Sequence, residues 1–309
     1  MKLGSRNIND VEFVFPIDQR YEENPDPIIE DIIEKGTISG NGVLATQLGL
    51  KNSGVVVDVG CHIGRSSLPL AKHGMHDFIL IDGCEQAVQC VKESIKKNQL
   101  TNVKVVHAVV SHSNFKCSFS RLLHSKQNII NKYIGFWKSL WYRKQAKTMY
   151  TKTIDQLVGS TECGTIIIDL EGYELPALHG AAATIARDLP MLIIQFDGQR
   201  FNLNPLLDLL HELDYQPYYL VNAKTEELSL ALQEIREPCR DCQPMFALCI
   251  PKKEPIPAGL SVMAKDLVKT GNKKFDTREQ LLEDIRHFRI VKLNKIYHGE
   301  EYVNSLAVG

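Results

Sequence analysis

No stretch of the 309-residue sequence comes near the roughly 20 consecutive apolar residues that a bilayer-spanning helix needs. The weakly apolar start MKLGSRNINDVEFVFP reads as a poor secretory signal, because Asp10 and Glu12 interrupt it. Compositional bias is absent: 44% apolar, 24% charged and 7% aromatic residues exclude collagen-like, coiled-coil and wholly disordered chains. The eight cysteines mostly sit inside apolar runs, as small core residues do in a reducing compartment. Cys239 and Cys242 make one C-x-x-C pair, half a zinc site without a second half, and read as a turn. Together these absences point to a cytoplasmic globular protein, long enough for one large domain with appendages or two modest domains.

What is present is an alternation of short apolar runs with amphipathic helical patterns. The runs are Val55–Val59, Phe78–Asp82, Val103–Val109, Thr165–Leu170, Met191–Phe196, Gln216–Val221 and Met245–Ile250. Segments such as VVVDV are apolar throughout, as strands covered on both faces are. Ala87, Val88, Val91 and Ile95 form one helix stripe, and Leu206, Leu207, Leu210 and Leu213 form another. This rhythm predicts an α/β fold with a seven-stranded, mostly parallel, doubly wound sheet. It assigns residues 51–252 to the main domain, 1–50 to an N-terminal extension with a helix at Ile28–Lys35, and 253–309 to a helical C-terminal extension.

The sharpest local motif is VVVDVGCHIG, residues 55–64. Asp58 ends a buried strand, and Gly60 and Gly64 flank a tight turn into a helix, where glycine permits positive φ or close backbone approach. The dinucleotide fingerprint G-x-G-x-x-G is broken, because position 62 is His62. A leading acid with wider glycine spacing suits a ligand with an amino-acid end and a nucleoside end, such as S-adenosylmethionine. Asp58 suits its ammonium, and Asp82, ending the second strand, can accept two hydrogen bonds from ribose hydroxyls. Asp82 alone does not discriminate, since NAD sites use an acid at similar spacing. The plainer alternative is that the glycines only turn the chain and Asp58 caps a helix.

Residues 55–110 and 151–197 resemble the FkbM family of S-adenosylmethionine-dependent methyltransferases. The family's D-V-G-A-N-I-G is here Asp58-Val-Gly-Cys61-His62-Ile-Gly64. Its second strand leads to a helix closing N-G-L, here Asn98-Gln99-Leu100. Its fourth strand reads K-I-D-V-E-G-x-E-x-x-x-L-x-G-A, and this chain has Ile168-Asp169-Leu170-Glu171-Gly172-Tyr173-Glu174, then Leu178, Gly180 and Ala181. The resemblance implies a Rossmann-like class I methyltransferase fold with S-adenosylmethionine as cofactor. Asp58, Gly60 and Gly64 would line its methionine end, Asp82 its ribose, and Ala108 and Val109 its adenine, with His62 of the same turn a further cofactor-binding candidate. Three positions depart from the pattern: His62 for Asn, Asp82 for Glu, and Gln195 for a Glu of the fifth strand.

Methyl transfer is an in-line displacement, and a hydroxyl acceptor gains from a general base. Asp169 and Glu171, two apart, would share one face of an extended strand, where mutual repulsion raises one pKa and suits a base. The alternatives are that Asp169 positions the cofactor and that Glu171 or Glu174 caps the next helix. Two carboxylates from one strand do not make a metal site without partners, which assigns no metal ligands and leaves divalent-metal assistance open. Tyr173, in the same motif, belongs to the acceptor side.

Between Ser111 and Lys152 there is no acidic residue, while nine Lys or Arg occur, so the remainder carries −10. Ile130, Ile134, Trp137 and Trp141 fall at helical spacing and predict a helix over 126–147. One reading is a packed helix with a solvated basic face. The other is a rim of the acceptor site, with Trp137, Trp141, Arg143 and Lys144 receiving an anionic, amphiphilic or glycan acceptor. Contact with a membrane surface stays open, whereas the acidic remainder argues against nucleic acid as a partner. The expected activity is O-methylation of a hydroxyl on a sugar, glycolipid, polysaccharide or secondary metabolite; the alternatives are N-methylation and a noncatalytic S-adenosylmethionine- or glycan-binding module.

Overall fold

The computed structural model describes residues 2–17, 26–36, 46, 49–51, 53–74, 76–120, 129–130, 147–196, 202–223, 229–235, 245–257 and 261–262. Its centre is a Rossmann-like sheet. Five strands run parallel: β3 (Val55–Val59), β4 (Phe78–Asp82), β5 (Val103–His107), β10 (Cys163–Ile168) and β11 (Met191–Phe196). β14 (Met245–Pro251) pairs antiparallel with β11, and β12 (Tyr215–Ala223) antiparallel with β14. The spatial order is β5-β4-β3-β10-β11-β14-β12, which reproduces the seven expected strands. Two more extend it beyond β12: β13 (Ser229–Glu234) and β15 (Ser261–Val262). The chain runs outward from β3 to β5 and then crosses to β10, so the order reverses between β3 and β10, where doubly wound sheets bind ligands.

Strand alternation assigns the faces. Val55, Val57 and Val59 pack into one apolar layer, with Ile79 and Ile81. Val56, Phe78, Leu80, Ile167 and Ile193 pack into the other. The first layer is covered by α4 (Ile154–Val158), α5 (Glu174–His179), α6 (Ala182–Asp188) and α7 (Asn204–Glu212). A reciprocal capping box between Thr153 and Gln156 starts α4. The second layer is covered by α2 (Leu68–Lys72) and α3 (Glu85–Asn98), whose Ala87, Cys90 and Val91 are buried.

The N-terminal extension is not wholly helical. A hairpin of β1 (Leu3–Ile8) and β2 (Val11–Pro16) precedes the expected helix, which forms as α1 (Pro27–Glu30) followed by a π-helical turn, Asp31–Lys35. The hairpin docks on α3 through side chains that act as a strand edge. Asn98 accepts from the Glu12 N–H at 2.9 Å and donates to the Glu12 carbonyl at 2.8 Å, and Ser94 accepts from the Val14 N–H at 2.9 Å. Val11, Phe13, Ile29 and Ile32 then bury in the same layer as α3.

The expected helix over 126–147 is corrected at both ends. β7 (Lys116–Ser120) pairs with β8 (Ile129–Ile130) and with β9 (Lys147–Lys152), and β9 returns beside β6 (Val109–Val110). Helical spacing of apolar residues carried no information about ladder partners some 30 residues apart, such as Phe119 and Lys147. Trp137, Trp141, Arg143 and Lys144 lie outside the described residues, as do Cys239, Cys242 and residues 263–309 of the expected helical C-terminal extension. The insert leaves the sheet at the C-terminal end of β5, the same end as Gly60 and Asp82.

Among the described residues no helix is long and apolar enough to cross a membrane. Cys61, Cys84, Cys90, Cys163 and Cys249 are buried.

Candidate active site

An acid stands at the C-terminal end of three neighbouring strands: Asp58 within β3, Asp82 closing β4 and Asp169 just past the end of β10. Asp58 follows Val56, Asp82 follows Leu80, and Asp169 follows Ile167, so all three continue the α3-covered face at the C-terminal end. Asp58 and Asp82 are each 3% exposed. Asp58 accepts a 2.6 Å hydrogen bond from Ser67 Oγ. Its pKa is pushed up to about 7 by burial, with repulsion from Asp169 and Asp82 adding to the rise and Ser67 opposing it. Asp169 and Asp82 therefore lie close enough to Asp58 to act on its carboxyl.

The turn after β3 is built around Asp82. Its Oδ2 accepts the His62 N–H at 2.9 Å, and its Oδ1 accepts the Cys84 N–H at 2.7 Å, which also opens α3. Gly60 has φ +89°, and its N–H donates to the Ile81 carbonyl at 2.8 Å. A Cβ there would sit 2.0 Å from the Asp169 carbonyl oxygen, so this glycine serves strand-to-strand approach. His62 takes φ +53° and is 9% exposed. Its Nε2 lies 3.1 Å from Asp26 Oδ2, while Nδ1 is buried without a partner among the described residues. A buried polar group left unpaired costs about 1–3 kcal/mol, so an atom of this kind is suited to a polar partner. Gln195, on the same face at the end of β11, has a second such atom, Oε1. Ala108 and Val109 are buried beside this turn, with the Ala108 N–H on the Asp82 carbonyl at 3.1 Å.

The geometry of Asp169 and Glu171 departs from expectation. β10 stops at Ile168, and Glu171 takes φ +50°, so Asp169 and Glu171 do not alternate along an extended strand. Asp169, Glu171 and Tyr173 are all part-buried. The segment is instead organised by Glu174, whose carboxylate accepts the Leu170 N–H at 3.1 Å and the Gly172 N–H at 2.8 Å. Burial pushes the Glu174 pKa up to about 7, with the Asp169 charge adding to the rise and the Gly172 and Leu170 amides opposing it. The sequence marked Glu174 only as a helix cap, and it did not single out Ser67 or Asp26. Asp26-Pro27 at a helix start is the signal that could have found Asp26.

Glu174 makes stability pH-dependent. A carboxyl whose pKa rises on folding stabilises the fold most below its unfolded value, near 4.5, and that contribution is lost as pH rises through about 7. The loss is on the order of 3 kcal/mol. Thermal unfolding between about pH 5 and about pH 8 should therefore show a falling Tm, with a shallower slope in Glu174→Gln. Identical slopes would remove Glu174 from the account.

No group of three or more His, Cys, Asp or Glu side chains able to hold a metal occurs among the described residues. A groove of about 750 Å³ opens at the opposite, N-terminal end of the strands, lined by Lys72, His76, Asp77, Asn98 and Asn102. It holds none of Asp58, Asp82 and Asp169.

Residues 56–131 match the family model described as a methyltransferase domain. The fold is that of a class I methyltransferase. Among solved structures, the chain is similar to an FkbM methyltransferase from Methylobacillus flagellatus KT, at 17% identity over 74% of this chain and 49% of that one, with a TM-score of 0.40. It is also similar to a precorrin-6y C5,15-methyltransferase from Geobacter metallireducens GS-15, at 13% identity over 68% and 84% of the two chains and a TM-score of 0.40. An rRNA methylase from Streptococcus thermophilus aligns at 14% identity over 70% and 98%, with a TM-score of 0.39. The present chain spans about half the length of the FkbM structure. No curated protein matches it.

Proposed function

We propose that this protein is an S-adenosylmethionine-dependent O-methyltransferase of the FkbM type, acting in the cytoplasm on a hydroxyl of a sugar, glycolipid, polysaccharide or secondary metabolite. The observation that carries the cofactor is the cluster of Asp58, Asp82 and Asp169 around the Gly60 turn. Three carboxylates, two of them buried, favour a cation and repel a pyrophosphate, which separates this site from a dinucleotide site. S-adenosylmethionine supplies a methyl group activated on a cationic sulfonium. Asp58 would hold the ammonium, which favours its ionised form; Asp82 and the His62 turn would hold the ribose; Gly60 and Gly64 shape that turn; and Ala108 and Val109 border the adenine. Asp169 or Glu171 would take the proton of the acceptor hydroxyl, and Tyr173 would contact the acceptor. The hydroxyl chemistry and the acceptor class rest on the D-x-E-G-x-E resemblance, with Asp169, Glu171, Gly172 and Glu174 in register. The basic insert, with Trp137, Trp141, Arg143 and Lys144, supplies an anionic or lipid-linked acceptor with cationic and aromatic contacts.

Calorimetric titration tests the cofactor. S-adenosylhomocysteine should bind saturably and NAD should not compete. Asp82→Ala removes both the ribose contact and the acceptor for two backbone amides, and should weaken binding by about tenfold to a hundredfold. Saturable NAD binding with no response to S-adenosylhomocysteine would sink this reading.

A further inference from the structure

We infer that the N-terminal segment completes the cofactor site: Asp26 positions His62, whose Nδ1 makes a hydrogen bond with a ribose hydroxyl of the bound cofactor. The inference deepens the S-adenosylmethionine reading and rests on it. One imidazole shows two anchored positions and one open atom. Its backbone N–H is fixed on Asp82 Oδ2 at 2.9 Å, its Nε2 faces Asp26 Oδ2 at 3.1 Å, and its Nδ1 is buried and unpaired among the described residues. Buried polar atoms are ordinarily satisfied, so Nδ1 is matched to a group that enters the site. A hydroxyl suits it, because a hydroxyl donates to a bare ring nitrogen and accepts from a protonated one. The place suits it as well: the carboxylate that anchors His62 is the one assigned to the ribose.

Asp26 is itself held in position. Its Oδ1 accepts the Ile28 N–H at 2.9 Å and the Ile29 N–H at 3.4 Å, capping α1, while Oδ2 faces the imidazole. Burial alone would raise the Asp26 pKa, but the contacts with His62 and with the two amides hold it below the ordinary carboxylate value. Asp26 does not touch the cofactor in this arrangement. It acts as a positioning residue through the ring, from 36 residues before His62 in the sequence.

The test is a thermodynamic cycle between side chain and ligand. S-adenosylhomocysteine and its 2′-deoxy and 3′-deoxy ribose analogues are titrated into wild type, His62→Ala, Asp26→Ser and the double variant, each checked for its melting transition. Serine caps a helix nearly as well as aspartate but is too short to reach the ring. Wild type should prefer the parent ligand over one analogue, and His62→Ala should lose about tenfold of that preference, the worth of about one hydrogen bond. Asp26→Ser should lose most of the same preference and add nothing in the His62→Ala background. A preference unchanged in His62→Ala overturns the ribose contact, and an additive Asp26→Ser effect overturns the positioning role. If the alanine variant unfolds, His62→Asn tolerates the left-handed backbone and replaces it. In that shorter side chain the link to Asp26 is cut, so Asp26→Ser should again add nothing, and an additive effect overturns the role. Wild type that binds no S-adenosylhomocysteine overturns the cofactor reading and this inference together, whereas wild-type binding with an unchanged cycle overturns this inference alone.

Discussion

Gly60→Ala is expected to abolish cofactor binding and to lower the melting temperature by about 10 °C or more, from a stability loss on the order of 4 kcal/mol. The new Cβ would lie 2.0 Å from the Asp169 carbonyl oxygen and 2.9 Å from its carbon. Neither side can retreat. The Asp169 N–H is bonded to the Val59 carbonyl at 2.9 Å, β3 and β10 are paired along their length, and the Gly60 N–H is tied to β4. A φ of +89° adds backbone strain of about 1–3 kcal/mol for any residue with a Cβ. Gly64→Ala is the internal comparison. Its φ is +80°, but its Cβ would meet Leu68 side-chain atoms at 2.6–2.7 Å, and a leucine side chain can rotate away. The strain alone, about 1–3 kcal/mol, is then expected. Scanning calorimetry of the two variants decides the matter: a Gly60→Ala protein that melts with Gly64→Ala or with wild type would show that β10 yields at Asp169.

The sequence exposes those parts of this molecule whose cause is local. Val55–Val59, Phe78–Asp82 and Met191–Phe196 form as expected to the residue, because each is a continuous apolar run bounded by residues that leave the sheet. Asp58 and Asp82, at the ends of the first two, are legible for the same reason. What stayed hidden depends on partners far along the chain. β1 reads as a polar segment, LGSRNI, and the β2 edge is satisfied by Ser94 and Asn98, about 80 residues away. The insert carries apolar residues at helical spacing, yet its described ends pair as strands, since KTMYTK finds KCSFS across the hairpin. Asp26-Pro27 marks a helix start, but the pairing of Asp26 with His62 is visible only because folding brings the two together. The geometry of Asp169 and Glu171 was misjudged because a positive φ at a glutamate is not written in any local pattern.

Asp169→Asn is expected to lower kcat by about a hundredfold to ten-thousandfold, with S-adenosylhomocysteine affinity changed little, if Asp169 is the base for the acceptor hydroxyl. Its backbone is locked by strand pairing and by the contact with Gly60, so the amide variant keeps the site's shape. Its side chain is part-buried beside Asp58 and Glu174, and its charge helps to raise the pKa of both. That coupling gives the experiment its discrimination. If Asp169 only supplies charge, replacing it lowers the Asp58 and Glu174 pKa values from about 7, and the acidic limb of the pH–rate profile moves to lower pH while the plateau rate survives. If Asp169 removes the proton, the plateau itself falls and the limb disappears with it. Glu171→Gln is measured alongside, because the left-handed turn at Glu171 carries its carboxylate away from an extended path and makes its contribution separable. A collapsed plateau in Glu171→Gln with an intact one in Asp169→Asn would transfer the base to Glu171, and a parallel loss of cofactor binding in Asp169→Asn would make Asp169 a residue that positions the cofactor.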